Sequence, residues 1–257
     1  IGPAYTDKIS RTGVRLGEIL DFEKFREMAH ANFAGWKELY PELEHDLEAE
    51  LEILEKIAEK IAPYIITTSE YLNDALKEGK GVLIEGANGT LLDIDHGTYP
   101  FVTSSNASMG GVVSGTGIGP KKFDEIIGIM KAYMTRVGAG PFPTEQDNDM
   151  GIHLREKGGE FGSTTGRPRR CGWFDAVVSK YSAEINTITC INLTKLDVLS
   201  GLETIKIATK YTLNGEEVAY LPYSLDDLAK VEVEYIEVPG WQEDISECVA
   251  FEDLPKN

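Results

Sequence analysis

Segments typical of β-strands alternate with segments typical of α-helices along most of this chain, and this alternation limits the possible folds more than any other feature. A helical pattern at residues 69–77 leads into the apolar run Val82-Leu-Ile84. A second helical pattern at residues 176–183 leads into an apolar run at residues 188–193. Because short continuous apolar runs are typical of strands buried in parallel sheets, we expect an α/β fold with a large, mainly parallel sheet flanked by helices.

The last third of the chain has the pattern of an antiparallel hairpin. Strand-like residues 204–213 and 217–220 flank Asn214-Gly215, a pair that suits a type I′ turn because both residues tolerate positive φ. Alternating apolar and polar side chains at residues 231–238 predict a further strand with one exposed face.

The first third is charged and has the pattern of helices. Asp21 is placed to cap one helix and Pro41 to begin another. An apolar stripe with spacings of three and four residues indicates a core-facing helix. The stripe consists of Leu43, Leu47, Leu51, Leu54, Ile57 and Ile61. We expect residues 21–79 to form a helical insertion within a single domain that spans residues 1–257.

Composition argues against several classes of partner. The 257 residues include 43 acidic and 25 basic side chains, for a net charge of −18, so the electric field of the protein repels nucleic acid. No apolar run approaches the roughly 18 residues that cross a membrane. Cys171, Cys190 and Cys248 have no metal-ligand spacing and are expected to be reduced thiols, as is typical of cytoplasmic proteins.

The densest cluster of basic and hydroxyl side chains lies at residues 162–170, Gly-Ser-Thr-Thr-Gly-Arg-Pro-Arg-Arg. Arginine forks match carboxylate and phosphate oxygens, and glycines let backbone N–H groups face the same ligand. A solvated basic turn is the alternative interpretation. The stiff Pro168, the threonine donors and the acidic surroundings favour an anion-binding loop.

Thr194-Lys-Leu-Asp197 directly follows the predicted strand at residues 188–193, where open α/β sheets place ligand-binding loops. An aspartate there can accept hydrogen bonds from the N1–H and 2-amino groups of guanine, whereas adenine would leave the carboxylate unpaired. The segment therefore predicts guanine selection, with a surface salt bridge as the alternative.

Asp93, Asp95 and His96 could serve as metal ligands, as in a metal-dependent hydrolase. Asp93 and Asp95 are two residues apart, so an extended segment would place Ile94 and His96 on the opposite side. We favour carboxylates that form hydrogen bonds within a turn, and we expect no metal site in this chain.

Five stretches of the chain resemble the adenylosuccinate synthetase family. They are Ile1-Gly-Pro-Ala-Tyr5, residues 85–106 with Asp-Ile-Asp-His-Gly-Thr-Tyr-Pro, residues 135–145 with Thr-Arg-Val-Gly-Ala-Gly-Pro-Phe-Pro-Thr-Glu, Thr164-Thr-Gly-Arg167, and residues 194–199 with Thr-Lys-Leu-Asp-Val-Leu. The resemblance implies a P-loop-NTPase-like fold that is incomplete here. The family's N-terminal Gly-Asp-Glu-Gly-Lys-Gly-Lys loop, its catalytic aspartate and histidine, and its C-terminal guanine-side segment are not in these residues. We expect the chain to be a fragment of a longer protein.

The resemblance implies a ligase of AMP biosynthesis that forms adenylosuccinate from IMP and L-aspartate, through 6-phosphoryl-IMP, while GTP becomes GDP and phosphate. GTP is implied as co-substrate and Mg²⁺ as cofactor, bound mainly outside this chain. The fragment alone is expected to be inactive, with no catalytic or metal-binding residue. A nucleotide-binding module without catalysis is the alternative, favoured by the absence of a Gly-x4-Gly-Lys-[Ser/Thr] phosphate loop.

The resemblance also implies roles for individual residues, in three ligand groups. IMP would be bound by Arg11, Asn88, Thr103 and Arg167, with Arg11 reaching the neighbouring active site of a homodimer. L-Aspartate would be bound by Ser163, Thr164, Thr165, Gly166 and Arg167. GTP would be bound by Arg169, Lys195, Leu196 and Asp197. Two residues depart from the family pattern, since Asn88 replaces the longer glutamine of many bacterial members and Pro168 replaces a basic residue.

Overall fold

The computed structural model describes residues 1–256, which form two compact units. One unit comprises residues 1–85 and 114–118, and the other comprises residues 86–113 and 119 onwards. The helices are α1 (Gly2–Ser10), α2 (Phe22–Leu39), α3 (Leu47–Ile61), α4 (Thr68–Lys77), α5 (Met109–Thr116), α6 (Asp149–Gly158), α7 (Ala176–Asn186) and α8 (Leu225–Leu228). The strands are β1 (Ile127–Lys131), β2 (Met134–Arg136), β3 (Arg170–Gly172), β4 (Phe174–Asp175), β5 (Cys190–Thr194), β6 (Thr204–Leu213), β7 (Glu216–Val218) and β8 (Glu232–Pro239).

Side-chain caps set the starts of α2 and α3 in the first unit. The Asp21 carboxylate accepts a hydrogen bond from the Lys24 backbone N–H at 3.3 Å, so α2 begins at Phe22 as predicted. The prediction that Pro41 begins the next helix is wrong. α3 begins at Leu47 instead, because Asp46 accepts a hydrogen bond from the Ala49 N–H at 3.1 Å and caps the helix there.

The helix expected at residues 69–77 is confirmed as α4, but the strand expected at Val82-Leu-Ile84 is wrong. These residues have no neighbouring strand in the described part of the chain, and Leu83 is 94% exposed. A strand needs a hydrogen-bonded partner, and an apolar run cannot provide one by itself. Within this unit the buried side chains of α3 are Leu51 and Ala58.

The second unit is a mixed α/β arrangement, and the predicted α/β class is confirmed. β1 pairs with β5, and β4 with β6, in parallel. β2 pairs with β3 in antiparallel orientation, as do β7 and β8 with β6. The helix expected at residues 176–183 is confirmed as α7, which runs on to Asn186.

The predicted hairpin is confirmed as β6 and β7. Asn214 and Gly215 both have positive φ, 55° and 83°, as a type I′ turn requires. The alternating segment at residues 231–238 is confirmed as β8, which pairs along most of β6.

The strand expected at residues 188–193 is confirmed as β5, but its predicted burial is wrong. Ile191 is 54% exposed and Leu193 is 42% exposed, and in the partner strand β1 Ile129 is 68% exposed. A parallel strand is buried only where helices cover both faces of the sheet. Within the described residues, this two-stranded sheet lacks that cover.

A hydrophobic core lies beneath α6, β3 and the turn at residues 196–199. Its buried members are Ala132, Tyr133, Leu154, Cys171, Trp173, Val198, Leu199, Ile205, Trp241 and Ile245.

The three cysteines are free thiols. Among residues 1–256, no helix has the length and apolar content of a membrane span. The single domain and the helical insertion at residues 21–79 stay predictions.

Candidate functional site

The carboxyl ends of β1 and β5 lie side by side and define one edge of the parallel pair. Lys131 ends β1 opposite Thr194, which ends β5, and the Ala132 N–H donates to the Thr194 carbonyl at 2.8 Å. Because the two strands run in parallel, the segments that follow them leave the sheet at the same edge. Lys131 and the Thr194-Lys-Leu-Asp197 segment are therefore neighbours.

Lys195 is held in an unusual conformation at this edge. Its φ of 64° lies in the left-handed region, and its Nζ donates to the Gly158 carbonyl at 2.9 Å, at the end of α6. Leu196 begins a short turn of 3₁₀ helix, and Asp197 is exposed. Among the described residues, none donates a hydrogen bond to the Asp197 carboxylate, so both of its oxygens are available to a ligand.

The arginine-containing segment forms a loop that is pinched at its base. Phe161 and Pro168 face each other as an isolated bridge, and the Gly162 N–H donates to the Arg167 carbonyl at 2.9 Å. Gly166 has a φ of 64°, which favours glycine because it lacks a Cβ. Residues 163–168 are exposed, so the hydroxyls of Ser163, Thr164 and Thr165 face solvent. The Gly166 N–H is used within the loop, since it donates to the Gly162 carbonyl at 2.8 Å.

The structure separates the three arginines that the sequence groups together. Arg167 is exposed, and its guanidinium has no hydrogen-bond partner among the described residues. Arg169 pairs with Glu160, and Arg170 pairs with Glu145. The expectation of one anion-binding cluster that includes Arg170 is wrong, because all three guanidinium nitrogens of Arg170 donate within the chain, whereas Arg169 uses only Nη1 within residues 1–256.

Arg170 holds the neighbouring glycine-rich turn in place. Its guanidinium binds both oxygens of Glu145 and donates to the carbonyls of Gly138 and Gly140, the latter at 2.8 Å. The hydrogen bond to Glu145 raises the pKa of Arg170. This arginine stabilises the base of the site, since its charge and most of its donors are satisfied within the chain.

Glu160 is a buried carboxylate that collects three donors at the other side of the loop base. It is 2% exposed, and its Oε1 accepts from Lys131 Nζ at 2.9 Å and from the Tyr133 hydroxyl at 2.6 Å. Its Oε2 accepts from Arg169 Nη1 at 2.7 Å. Burial alone would raise the pKa of Glu160, but these hydrogen bonds outweigh burial and lower it. The carboxylate therefore links the edge of the parallel pair to the arginine loop.

Asp93 organises a turn that carries Thr103. Asp93 is fully buried, and its Oδ1 accepts from the backbone N–H groups of Asp95 and His96 at 2.9 and 3.0 Å. Its Oδ2 accepts from the Ser108 N–H at 2.9 Å. The Thr103 N–H donates to the Leu92 carbonyl, beside Asp93, at 2.9 Å. The interpretation of Asp93 as a hydrogen-bonded turn carboxylate is confirmed.

The same geometry tests the alternative interpretation of Asp93, Asp95 and His96 as metal ligands. Both Asp93 oxygens already accept N–H donors, so Asp93, Asp95 and His96 do not fit a metal centre. No other cluster of three or more histidine, cysteine, aspartate or glutamate side chains suited to a metal occurs in the part of the chain that the structure describes. Asp93, Asp95 and His96 therefore do not form a Mg²⁺ site, and the location of Mg²⁺ stays a prediction.

Arg136 joins the Asp93 turn to the glycine-rich turn. Its Nη2 donates to Thr98 Oγ1 at 2.8 Å and its Nε donates to the Ala139 carbonyl at 3.0 Å. Arg136 also lies opposite Arg170 in the β2–β3 ladder. Burial lowers the pKa of Arg136, and the nearby charge of Arg170 adds to that effect. The turn that carries Thr103 is thus connected to the base of the arginine loop.

Two predicted site residues are not brought to this cluster by any contact. Asn88 is exposed and has no hydrogen-bond partner among the described residues. Arg11 belongs to the other compact unit, where it follows α1 with a φ of 64° and its side chain donates, within the described residues, to the adjacent Ser10 carbonyl. Their roles stay predictions.

Sequence reasoning missed Lys131 and Glu160. Lys131 has a weak signal, since it ends an apolar strand where ligand-binding residues occur in α/β sheets. The only sequence signal at Glu160 is its position between a glycine pair and the basic loop. Its partners come from β1 and from the far side of the loop, and no sequence spacing relates them.

Comparison with known proteins identifies the family. The adenylosuccinate synthetase family model matches residues 1–257. Relatives named adenylosuccinate synthetase are 46% identical in Limosilactobacillus reuteri and 50% identical in Heliobacterium modesticaldum, and the alignments cover all of this chain and 60% and 61% of those proteins. The structure of fully ligated adenylosuccinate synthetase from Plasmodium falciparum is 46% identical, with a TM-score of 0.96 over 99% of this chain and 61% of that one. The chain thus spans about three fifths of the length of its relatives. It belongs to the adenylosuccinate synthetase family.

Proposed function

We propose that a full-length polypeptide containing this chain joins IMP to L-aspartate to form adenylosuccinate, with conversion of GTP to GDP and phosphate. The observation that carries the proposal is family membership over the whole chain. The free Asp197 carboxylate beside Lys195, at the carboxyl edge of the parallel pair, supports it. We place the enzyme in AMP biosynthesis in the cytoplasm, with Mg²⁺ held mainly by residues outside this chain.

The chemistry requires two transfers. The γ-phosphoryl group of GTP is placed on the 6-oxygen of IMP, because that oxygen is a poor leaving group. The amine of L-aspartate then attacks carbon 6, and phosphate departs with the oxygen. Positioned cations and hydrogen-bond donors stabilise the charge that develops in such phosphoryl transfers. This chain contributes binding and orientation, while the catalytic carboxylate and imidazole belong to the remainder of the polypeptide.

The exposed loop is our candidate for the L-aspartate site. The donors of Ser163, Thr164 and Thr165, with the unpaired guanidinium of Arg167, suit a dicarboxylate, and Gly166 shapes the loop through its positive φ. We assign Arg167 a second contact, to the IMP ribose. Thr103 and Asn88 are our candidates for the IMP phosphate and base. Asn88 is shorter than glutamine by one methylene, so a water molecule can bridge its contact.

The full-length protein tests this assignment directly. Incubation with IMP, L-aspartate, GTP and Mg²⁺ is expected to consume IMP and to release phosphate and GDP in equal amounts, whereas residues 1–257 alone are expected to show no turnover. Binding of GTP and IMP by the full-length protein without any product would support a nucleotide-binding module instead.

Asp197 is expected to select guanine. In the full-length protein, Asp197→Asn replaces one carboxylate acceptor by an amide donor that faces the 2-amino group of guanine. Because a charge-assisted hydrogen bond is lost, the KM for GTP is expected to rise by about tenfold to a hundredfold. ITP lacks the 2-amino group, so its KM rises less and the GTP/ITP preference shrinks. Initial rates with both nucleotides measure this. Asp124→Asn, which also neutralises an exposed carboxylate, is the matched control. An unchanged GTP/ITP ratio would contradict the role.

Arg11 is our candidate for a contact to IMP in the partner subunit of a homodimer. In the full-length protein, Arg11→Ala is expected to raise the KM for IMP by about tenfold, while the preference for GTP stays the same. Lys8→Ala, on the same helix, removes an equal charge and is expected to leave both unchanged. A monomer in sedimentation velocity with full activity would rule out the shared site.

A further inference from the structure

We infer that Glu160 is a positioning residue, which orients the guanidinium of Arg169 so that its free edge faces the nucleotide. This inference rests on the proposed function, because it uses the assignment of Arg169 to the GTP side. Glu160 itself is buried and does not need to contact a substrate.

Only one edge of the Arg169 guanidinium has a hydrogen-bond partner among the described residues. Nη1 donates to Glu160 Oε2 at 2.7 Å, whereas Nε and Nη2 have no partner among the described residues. The Arg169 side chain is 34% exposed, compared with 2% for that of Glu160. One edge of the guanidinium is therefore fixed by the protein, and the other can bind an anion such as a phosphate or carboxylate.

The backbone at this point is fixed independently of the ion pair. The Arg169 N–H donates to the Glu160 carbonyl at 2.9 Å, and Arg155 Nε donates to the Arg169 carbonyl at 2.8 Å. These hydrogen bonds use main-chain oxygens and remain when the Glu160 carboxylate is removed. A change in that carboxylate thus affects the direction of the Arg169 side chain more than the position of its Cα.

The charge balance explains why a carboxylate is needed here. Glu160 lies between two cations, Lys131 at 2.9 Å and Arg169 at 2.7 Å, and it compensates their mutual repulsion. One positive charge remains in excess, at the edge of the sheet that Lys195 and Asp197 also occupy. The cluster therefore keeps both cations close to one another and leaves a net attraction for an anionic ligand.

The test uses Glu160→Gln in the full-length protein. Glutamine retains the size of the side chain but loses its charge, so Arg169 is expected to lose its fixed direction and the KM for GTP to rise about tenfold. Tyr133→Phe is the matched control, because it removes one hydrogen bond from Glu160 without touching Arg169. It is expected to leave the KM for GTP unchanged.

If Glu160 acts by orienting Arg169, the effects of the two substitutions on the KM for GTP are not additive. In an Arg169→Ala background, Glu160→Gln is expected to cause no further increase in the KM for GTP, because the group it orients is absent. Equal increases in both backgrounds, or no increase in either, would overturn the inference. Wild-type protein without turnover would instead remove the proposed function. In that event a crystal structure of Glu160→Gln decides the inference, since an Arg169 guanidinium with unchanged direction would refute it.

Discussion

Arg167→Ala in the full-length protein is expected to raise the KM for L-aspartate by about a hundredfold while the KM for GTP changes little. Arg167 is the loop arginine whose guanidinium has no partner among the described residues, so its donors are free for the substrate carboxylates. Removing one partner of a hydrogen-bonded charge pair costs about 2–5 kcal/mol, and 1.4 kcal/mol corresponds to tenfold. Initial rates at varied L-aspartate concentrations measure the effect.

Two further variants separate charge from geometry. Arg167→Lys keeps the charge but loses the planar fork, so an intermediate increase in the KM for L-aspartate is expected. Lys180→Ala removes a positive charge from the exposed surface of α7 and serves as the control. The assignment fails if the KM for L-aspartate in Arg167→Ala equals that in the control.

Asp93→Ala is expected to lower the free energy of unfolding of the full-length protein by about 3 kcal/mol or more. The change leaves the buried N–H of Ser108 and the partly buried N–H groups of Asp95 and His96 without their acceptor. A buried unsatisfied group costs about 1–3 kcal/mol, and the two partly buried groups add less each. Urea unfolding followed by circular dichroism measures the loss. Asp95→Ala is the matched control, because Asp95 is exposed and its carboxylate accepts, within residues 1–256, only from Asn106. A loss of stability in Asp93→Ala no larger than that in Asp95→Ala would show that the turn does not depend on Asp93.

The same carboxylate predicts a dependence of stability on pH. Burial alone would raise the pKa of Asp93, but the hydrogen bonds from Ser108, Asp95 and His96 lower it below the ordinary value of 3.8. Stability from a lowered carboxyl pKa is fully present above the unfolded-state value and is lost as the pH falls below it. Wild-type protein is therefore expected to lose more stability than Asp93→Ala as the pH falls from 5 through the ordinary value of 3.8 and below it. Parallel acid-unfolding curves for the two proteins would contradict this.

The sequence correctly predicted those helices and turns whose stabilising contacts lie within a few residues of one another. Asp21 caps α2 through a residue three positions away, and Asn214-Gly215 forms its turn from its own backbone preferences. The apolar run at residues 82–84 fails as a strand because pairing depends on a distant segment. The exposure of β5 has the same origin, since cover over a sheet face comes from elsewhere in the chain.

The candidate site shows the same division. The strand-end rule correctly placed Lys195 and Asp197 at the carboxyl edge of a parallel strand. The rule could not tell that Arg170 is occupied by Glu145, since 25 residues separate these partners. Glu160 and Lys131 are 29 residues apart. Only the folded chain brings such ion pairs together.

The pinched base of the arginine loop has a consequence for how substrate preference can evolve. Below the Phe161–Pro168 bridge, the framework is fixed by the Glu160 and Glu145 ion pairs and by the β2–β3 ladder. Above it, the side chains of residues 163–167 contribute little to folding and face solvent. Under the proposed assignment of this loop to L-aspartate, substitutions of Ser163, Thr164, Thr165 or Arg167 are expected to alter which amino donor is accepted with little penalty in stability, whereas Gly166 is constrained by its φ of 64°. Selection can then act on specificity and on fold integrity separately.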